Sequence, residues 1–263
     1  MFSDAKRIVV KVGTSTLTHA TGQINIRLME QLVKVLADIK NSGKQVVLVT
    51  SGAIAVGVGK LGLPGKPADI PGKQATAAVG QCELMYLYDK YFSEYNHTVG
   101  QVLLTRYTMD NPDGRQNAKN TFEALLAMGA IPVVNENDTV ATDEIRVGDN
   151  DTLSAMVAKM IGADALVLLS DIDGLYTANP QDNPDATLVP LVETLDEQLM
   201  ETAGGAGTSR GTGGMVTKLV AAQLVTNEGI DMYIMNGKNP QKLYDLMDGQ
   251  PVGTRFVGRR AAE

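Results

Sequence analysis

Two lysines sit where a phosphoryl group could be held between them. Lys11 lies in Val9-Val10-Lys11-Val12-Gly13-Thr14-Ser15-Thr16, near the end of an apolar run over residues 8–12. Lys218 closes Gly211-Thr212-Gly213-Gly214-Met215-Val216-Thr217-Lys218, a glycine-rich stretch that runs into a helix. A cation in a strand otherwise ready for burial is costly unless an anion meets it. Glycines beside a helix N-terminus expose backbone N–H groups that suit phosphate oxygens. Two such devices in one chain point to a phosphotransferase.

The elements that must position these lysines alternate strand and helix. Residues 8–12, 45–50, 99–104, 131–134, 165–169 and 232–235 read as short apolar strands. Between them lie helical patterns. One is capped by Asn25, carries Ile26, Met29, Leu32, Val33, Leu36 and Ile39 at the 3.6-residue period, and stops at Gly43. Others follow Ser51-Gly52, follow the Pro/Gly-rich link at 64–72, run from about Gly114 to Gly129, begin near Asn150, and cover 215–227 and 239–247. Continuously apolar strands separated by helices imply α/β architecture, a parallel sheet covered on both faces. Residues 139–147 read instead as an antiparallel hairpin on top, and 202–214, with six glycines, as a loop. No repeat or long linker divides the chain, so a single domain over 1–263 is expected, with an N-terminal lobe to about 165 and a C-terminal lobe over 166–258.

In an open parallel sheet the C-terminal strand ends line one crevice, the usual ligand site. Five candidate segments fall there: 11–16, 50–53, 135–138, Ser170-Asp171 and the glycine-rich loop to Lys218. A sixth, Val147-Gly148-Asp149-Asn150-Asp151, opens a helix, where Asp149 or Asn150 could equally be a plain N-cap. Each is weak alone; their shared edge is the signal.

Composition removes other classes. A net charge of −7 argues against a nucleic-acid partner. One cysteine, Cys82, cannot form an internal disulfide and reads as a core thiol; with only His19 and His97 beside it, a His/Cys zinc centre lacks ligands. No apolar run approaches a membrane span and the polar N-terminus is no leader, so a cytoplasmic protein is expected. Gly57-Val58-Gly59-Lys60-Leu61-Gly62 matches the dinucleotide fingerprint but falls at the far end of a helix, the wrong place for it. None of the Gly-Lys pairs at 43, 59, 65, 72 and 237 is followed by Ser or Thr, so there is no Walker A motif. Asp171-Ile172-Asp173-Gly174 lacks the remaining ligands of a calcium loop.

Several ordered motifs resemble one known group. They include Val49-Thr50-Ser51-Gly52-Ala53-Ile54-Ala55-Val56-Gly57, then Ala77-Ala78-Val79-Gly80-Gln81, Val134-Asn135-Glu136-Asn137-Asp138-Thr139, Gly148-Asp149-Asn150-Asp151-Thr152 and the two lysine segments. Together, over roughly residues 6–258, they resemble the glutamate 5-kinase branch of the amino acid kinase family. The resemblance implies an αβα three-layer sandwich around a mainly parallel sheet of about eight strands. It implies transfer of phosphate from ATP, with Mg²⁺, to the γ-carboxylate of L-glutamate, the first step of proline biosynthesis. It implies no dedicated metal-ligand residues, a homo-oligomer, and feedback inhibition by proline. By position, Lys11, Lys218 and Asp151 would be catalytic, with Asp151 orienting both lysines. Ser51, Gly52, Asp138 and Asn150 would hold glutamate. Lys11, Ser170, Asp171, Thr212, Gly213, Gly214, Met215, Val216, Thr217 and Lys218 would line the nucleotide site. Ser170 stands where some members carry threonine, and the end at Glu263 matches the short form without a C-terminal PUA domain. Two alternatives stay open: a kinase of another small anion (acetylglutamate, aspartate, carbamate or UMP) and a catalytically silent binding regulator.

Overall fold

Strand β1 (Arg7–Val12) takes the middle of the molecule, with a parallel neighbour on each side: β2 (Gln45–Val49) and β5 (Ala165–Ser170). The structure, a computed structural model, describes residues 2–141, 150–180, 182–195, 199–200 and 214–259. Within these the strands form one eight-stranded sheet in the order β3-β4-β2-β1-β5-β7-β8-β6. The others are β3 (Val99–Leu104), β4 (Ile131–Glu136), β6 (Leu191–Val192), β7 (Asp231–Asn236) and β8 (Thr254–Phe256). Pairing is parallel except for β7 against β8. The four earlier strands make one half of the sheet and the four later ones the other, joined through β1 and β5.

Helices cover both faces, giving the three layers the resemblance implied. Alternation along β1 and β2 decides which side chain goes where. Ile8, Val10, Val12, Val46 and Leu48 pack with α2 (Ile26–Asn41) and α4 (Ile70–Ser93). Val9, Val47 and Val49 pack with α6 (Pro112–Ala127), α7 (Asn150–Ile161) and α8 (Met215–Thr226). The short helices α1 (Thr14–Leu17), α3 (Ala53–Leu61), α5 (Arg106–Asp110) and α9 (Lys242–Met247) complete the described set.

Sequence and structure part where elements are short. The pairs and triplets of β6 and β8, and the single turns α1 and α5, carry too few residues for a period to show. Of the expected hairpin over 139–147, residues 139 and 140 form a turn, and 142–147 lie outside the described residues.

Candidate active site

Lys11 shares a face of β1 with Val9, the face covered by α7 and α8. The first turns of those two helices bring Asp151 and Lys218 to it. Lys11 Nζ lies 2.6 Å from Asp151 Oδ1, and Lys218 Nζ donates to Asp151 Oδ2 at 2.9 Å. Thr217 Oγ1 donates to the same Oδ2 at 3.2 Å and to the carbonyl of Gly214, the α8 N-cap, at 2.8 Å. All three charged residues are buried: Lys11 is 6% exposed, Lys218 5% and Asp151 0%. Burial raises the Asp151 carboxyl, but the charges and hydrogen bonds of Lys11 and Lys218 more than reverse this and hold it at about 2. Two ammonium groups against one carboxylate leave the trio with one positive charge in excess. That excess, buried at the C-terminal end of a central strand, suits an anionic reaction partner.

Beside this trio opens a cavity of about 680 Å³. Its walls include Thr14, the loop from Thr18 to Gly22, the start of α3, the loop from Leu63 to Lys66, and the end of β4. All four residues expected to hold a substrate, Ser51, Gly52, Asp138 and Asn150, line it. Gly52 supplies the turn from β2 into α3 with φ of 97°, a left-handed conformation that a side chain would strain. Asn150 is the first residue of α7 and so is not that helix's cap; Asp149 lies outside the described residues. Its side chain ties three segments together, with Nδ2 2.6 Å from the carbonyl of Thr50, 2.8 Å from Ser51 Oγ and 2.9 Å from Asn135 Oδ1. Lys11, Asp151 and Lys218 do not line this cavity. The bond between Asn150 and Asp151 joins the two places.

Of the residues expected on the nucleotide side, Ser170 ends β5 and its Oγ donates to Asp171 Oδ1 at 3.1 Å. Gly214 caps α8, Met215 and Thr217 are half-buried and Val216 is 40% exposed. Thr212 and Gly213 lie outside the described residues. Among the described residues no group of three His, Cys, Asp or Glu side chains could hold a metal ion.

A sheet edge that gathers two lysines around a helix-borne aspartate agrees with what the whole sequence matches. Residues 6–236 fit the model of the amino acid kinase family. The chain belongs to that family. Among curated amino acid kinases it is 54% identical to a glutamate 5-kinase of Clostridium perfringens, covering 98% of this chain and 97% of the relative. It is 51% identical to a glutamate 5-kinase of Listeria innocua, covering 98% and 95%. Solved structures share the fold at low identity. The UMP kinase of Bacillus anthracis superposes with a TM-score of 0.65 at 15% identity, covering 98% of each chain. The isopentenyl phosphate kinase of T. acidophilum gives 0.62 at 19%, covering 95% of this chain and 99% of that one.

Sequence reasoning about this amino acid kinase placed Asn135 and Thr50 in candidate segments but gave no site role to Gln81 and Tyr88, the buried groups they bond to behind the cavity. Asn135, 1% exposed, sits between Asn150 and Gln81 of α4. Thr50 Oγ1 shares a 2.8 Å hydrogen bond with the hydroxyl of Tyr88, and burial pushes that phenol up. The signal was a polar Gln81 and a Tyr88 on the helix face that carries buried Leu84. Cys82 corrects an expectation: it is exposed rather than a core thiol, because it points away from that face. The fingerprint-like glycines fall where the sequence placed them, Gly57 and Gly59 inside α3 and Gly62 at its C-cap.

Proposed function

We propose that the protein transfers the γ-phosphoryl group of ATP to the γ-carboxylate of L-glutamate, forming L-glutamyl 5-phosphate and ADP. Relatives at about half identity, matched over nearly their whole length, are glutamate 5-kinases, which supports this substrate. The observation that carries the chemistry is the Lys11–Asp151–Lys218 trio.

The acceptor carboxylate is ionised at neutral pH, so the reaction needs no general base. One carboxylate oxygen attacks the γ-phosphorus, the bond from that phosphorus to the β-phosphate oxygen breaks, and the electron pair leaves with ADP. The barrier is the approach of two anions and the charge spread over the moving phosphoryl oxygens. In this reading Lys11 and Lys218 neutralise that charge from the two sides, and Asp151 fixes their ammonium groups in place. Ser51, Gly52, Asp138 and Asn150 hold glutamate in the cavity. Ser170, Asp171 and the segment 212–218 line the nucleotide site. The substrate side then belongs to a lobe over about 1–165 and the nucleotide side to one over 166–258. Mg²⁺ would enter on the ATP phosphates. We include cytoplasmic location, a homo-oligomer and inhibition by proline in this proposal; millimolar proline should lower the initial rate.

The test is direct. Purified protein with ATP, Mg²⁺, L-glutamate and hydroxylamine should yield γ-glutamyl hydroxamate. Product from acetylglutamate, aspartate, carbamate or UMP instead, with none from glutamate, would reassign the substrate.

A further inference from the structure

The motif Ala77-Ala78-Val79-Gly80-Gln81 has no part in the site described so far, yet the packing gives it one. Gly80 of α4 faces α3 so closely that a Cβ would overlap the carbonyl oxygen of Ala53, and Gly57 of α3 has the same relation to Thr76. Two glycines therefore let the helix backbones touch. That contact carries the next residue, Gln81, beneath the floor of the cavity, where it is 6% exposed.

A chain of amides rises from it. Gln81 Oε1 accepts from Asn135 Nδ2 at 2.8 Å. Asn135 Oδ1 accepts from the backbone N–H of Glu136 at 2.9 Å and from Asn150 Nδ2 at 2.9 Å. Each amide has one donor end and one acceptor end, so fixing one fixes the next. Were Gln81 reversed, its Nε2 would face Asn135 Nδ2, donor against donor. In the arrangement seen, Nε2 is buried with no hydrogen-bond partner among the described residues. A buried unpaired donor is costly and rare, and here it accompanies the orientation that offers an acceptor to Asn135.

The far end of the chain is what a ligand meets. Asn150 Nδ2 is surrounded by three protein oxygens, leaving Oδ1 as the end of that side chain open to the cavity. The carboxylates of Glu136 and Asp138 line the same cavity. With Asn150 Oδ1 these give the cavity acceptor groups of the kind that an ammonium group requires.

We infer that Gln81 is a positioning residue for substrate selection: through Asn135 it holds Asn150 with its carbonyl oxygen toward the cavity, where it receives the α-ammonium of the amino acid substrate. The inference rests on the glutamate reading above and adds a reason why an amino acid is preferred over the same diacid without the amine.

The test compares L-glutamate with glutarate, which lacks the ammonium group, by calorimetry and as substrate and competitor. Wild-type binding of L-glutamate tests the parent reading separately; no binding would remove that reading and this one together. Given binding, Gln81→Met removes the acceptor at similar size. Glutamate affinity should fall about tenfold, the effect of orphaning one buried amide donor, with glutarate affinity, ATP KM and kcat changed less than about threefold. Gln81→Glu restores an oxygen to Asn135 and should bring glutamate affinity back to within about threefold of wild type. If Gln81→Met does not fold, Gln81→Ala carries the same expectation. Parallel loss of glutamate and glutarate affinity would mean that Gln81 merely shapes the floor, and no loss of either would mean that the amide chain does not govern Asn150; each overturns the inference.

Discussion

Lys11 and Lys218 grip opposite oxygens of one carboxylate, Asp151 Oδ1 at 2.6 Å and Oδ2 at 2.9 Å. The two ammonium groups are thus set apart by the width of a carboxylate while like charge is offset between them. A phosphoryl group arriving at either one meets the field of both.

Replacing Lys218 with Met should cut turnover by about a hundredfold to a thousandfold, the usual cost of removing one group that stabilises transition-state charge. Melting temperature should change little, because Asp151 keeps Lys11 as its partner. Steady-state kinetics and a thermal melt on the same sample check both halves. Near-normal turnover would withdraw Lys218 from the reaction.

Asp138→Asn should act on the other side. It weakens a contact to the bound amino acid, so glutamate KM should rise about tenfold or more, as for a charge-assisted hydrogen bond. The ATP KM should stay near the wild-type value. A change confined to ATP would show that the cavity has been given to the wrong substrate.

Acid should reach Asp151 only after most surface carboxylates have been protonated. Its folded value is held at about 2, below the ordinary 3.8. The unfolded chain binds the extra proton over that interval, so stability rises with pH there. The contribution is complete above the ordinary carboxylate range and is lost as pH falls through about 4 towards 2. Melting temperatures measured across this range should fall more steeply for wild type than for Asp151→Asn. At pH 7 the variant should be less stable by about 3 kcal/mol, since it strips the counter-charge from two buried lysines. Equal slopes would argue that the carboxylate is not held by these lysines.

Gly80→Ala should push α3 and α4 apart, since the added methyl would overlap α3 backbone, the Ala53 carbonyl and the Gly57 nitrogen, which cannot step aside as a side chain could. A loss of about 1–3 kcal/mol is the ordinary range for such overpacking, read by denaturant unfolding. A rise in glutamate KM should accompany it, because Ser51, Gly52 and Gln81 are carried by the two elements that separate.

Lys11 was legible because a lysine inside Val9-Val10-Lys11-Val12 contradicts its apolar surroundings and needs an anionic partner, but that Asp151 is that partner came only from the family resemblance. The parallel strands were legible for a related reason: covered on both faces, they are apolar at nearly every position. The edge strands β6 and β8 were not, since two or three residues beside Arg255 carry no period. Nor was the Gln81–Asn135–Asn150 chain. The amides come from two helices and one strand, and although Gln81 shares a helix face with Leu84 and Tyr88, nothing in the sequence says which strand residue meets it. Only the glycine contact between α3 and α4 shows which way Gln81 must look.

Asn150 and Asp151 are neighbours at the start of α7, and their side chains serve different ends, one the cavity and the other the lysines. On the proposed reading, which acceptor is admitted and how fast it reacts both depend on a single helical turn. Anyone refitting this scaffold for a new acid would do best to leave that turn alone. The loops at Thr18–Gly22 and Leu63–Lys66 line the same cavity but make none of the contacts to the aspartate that the lysines share.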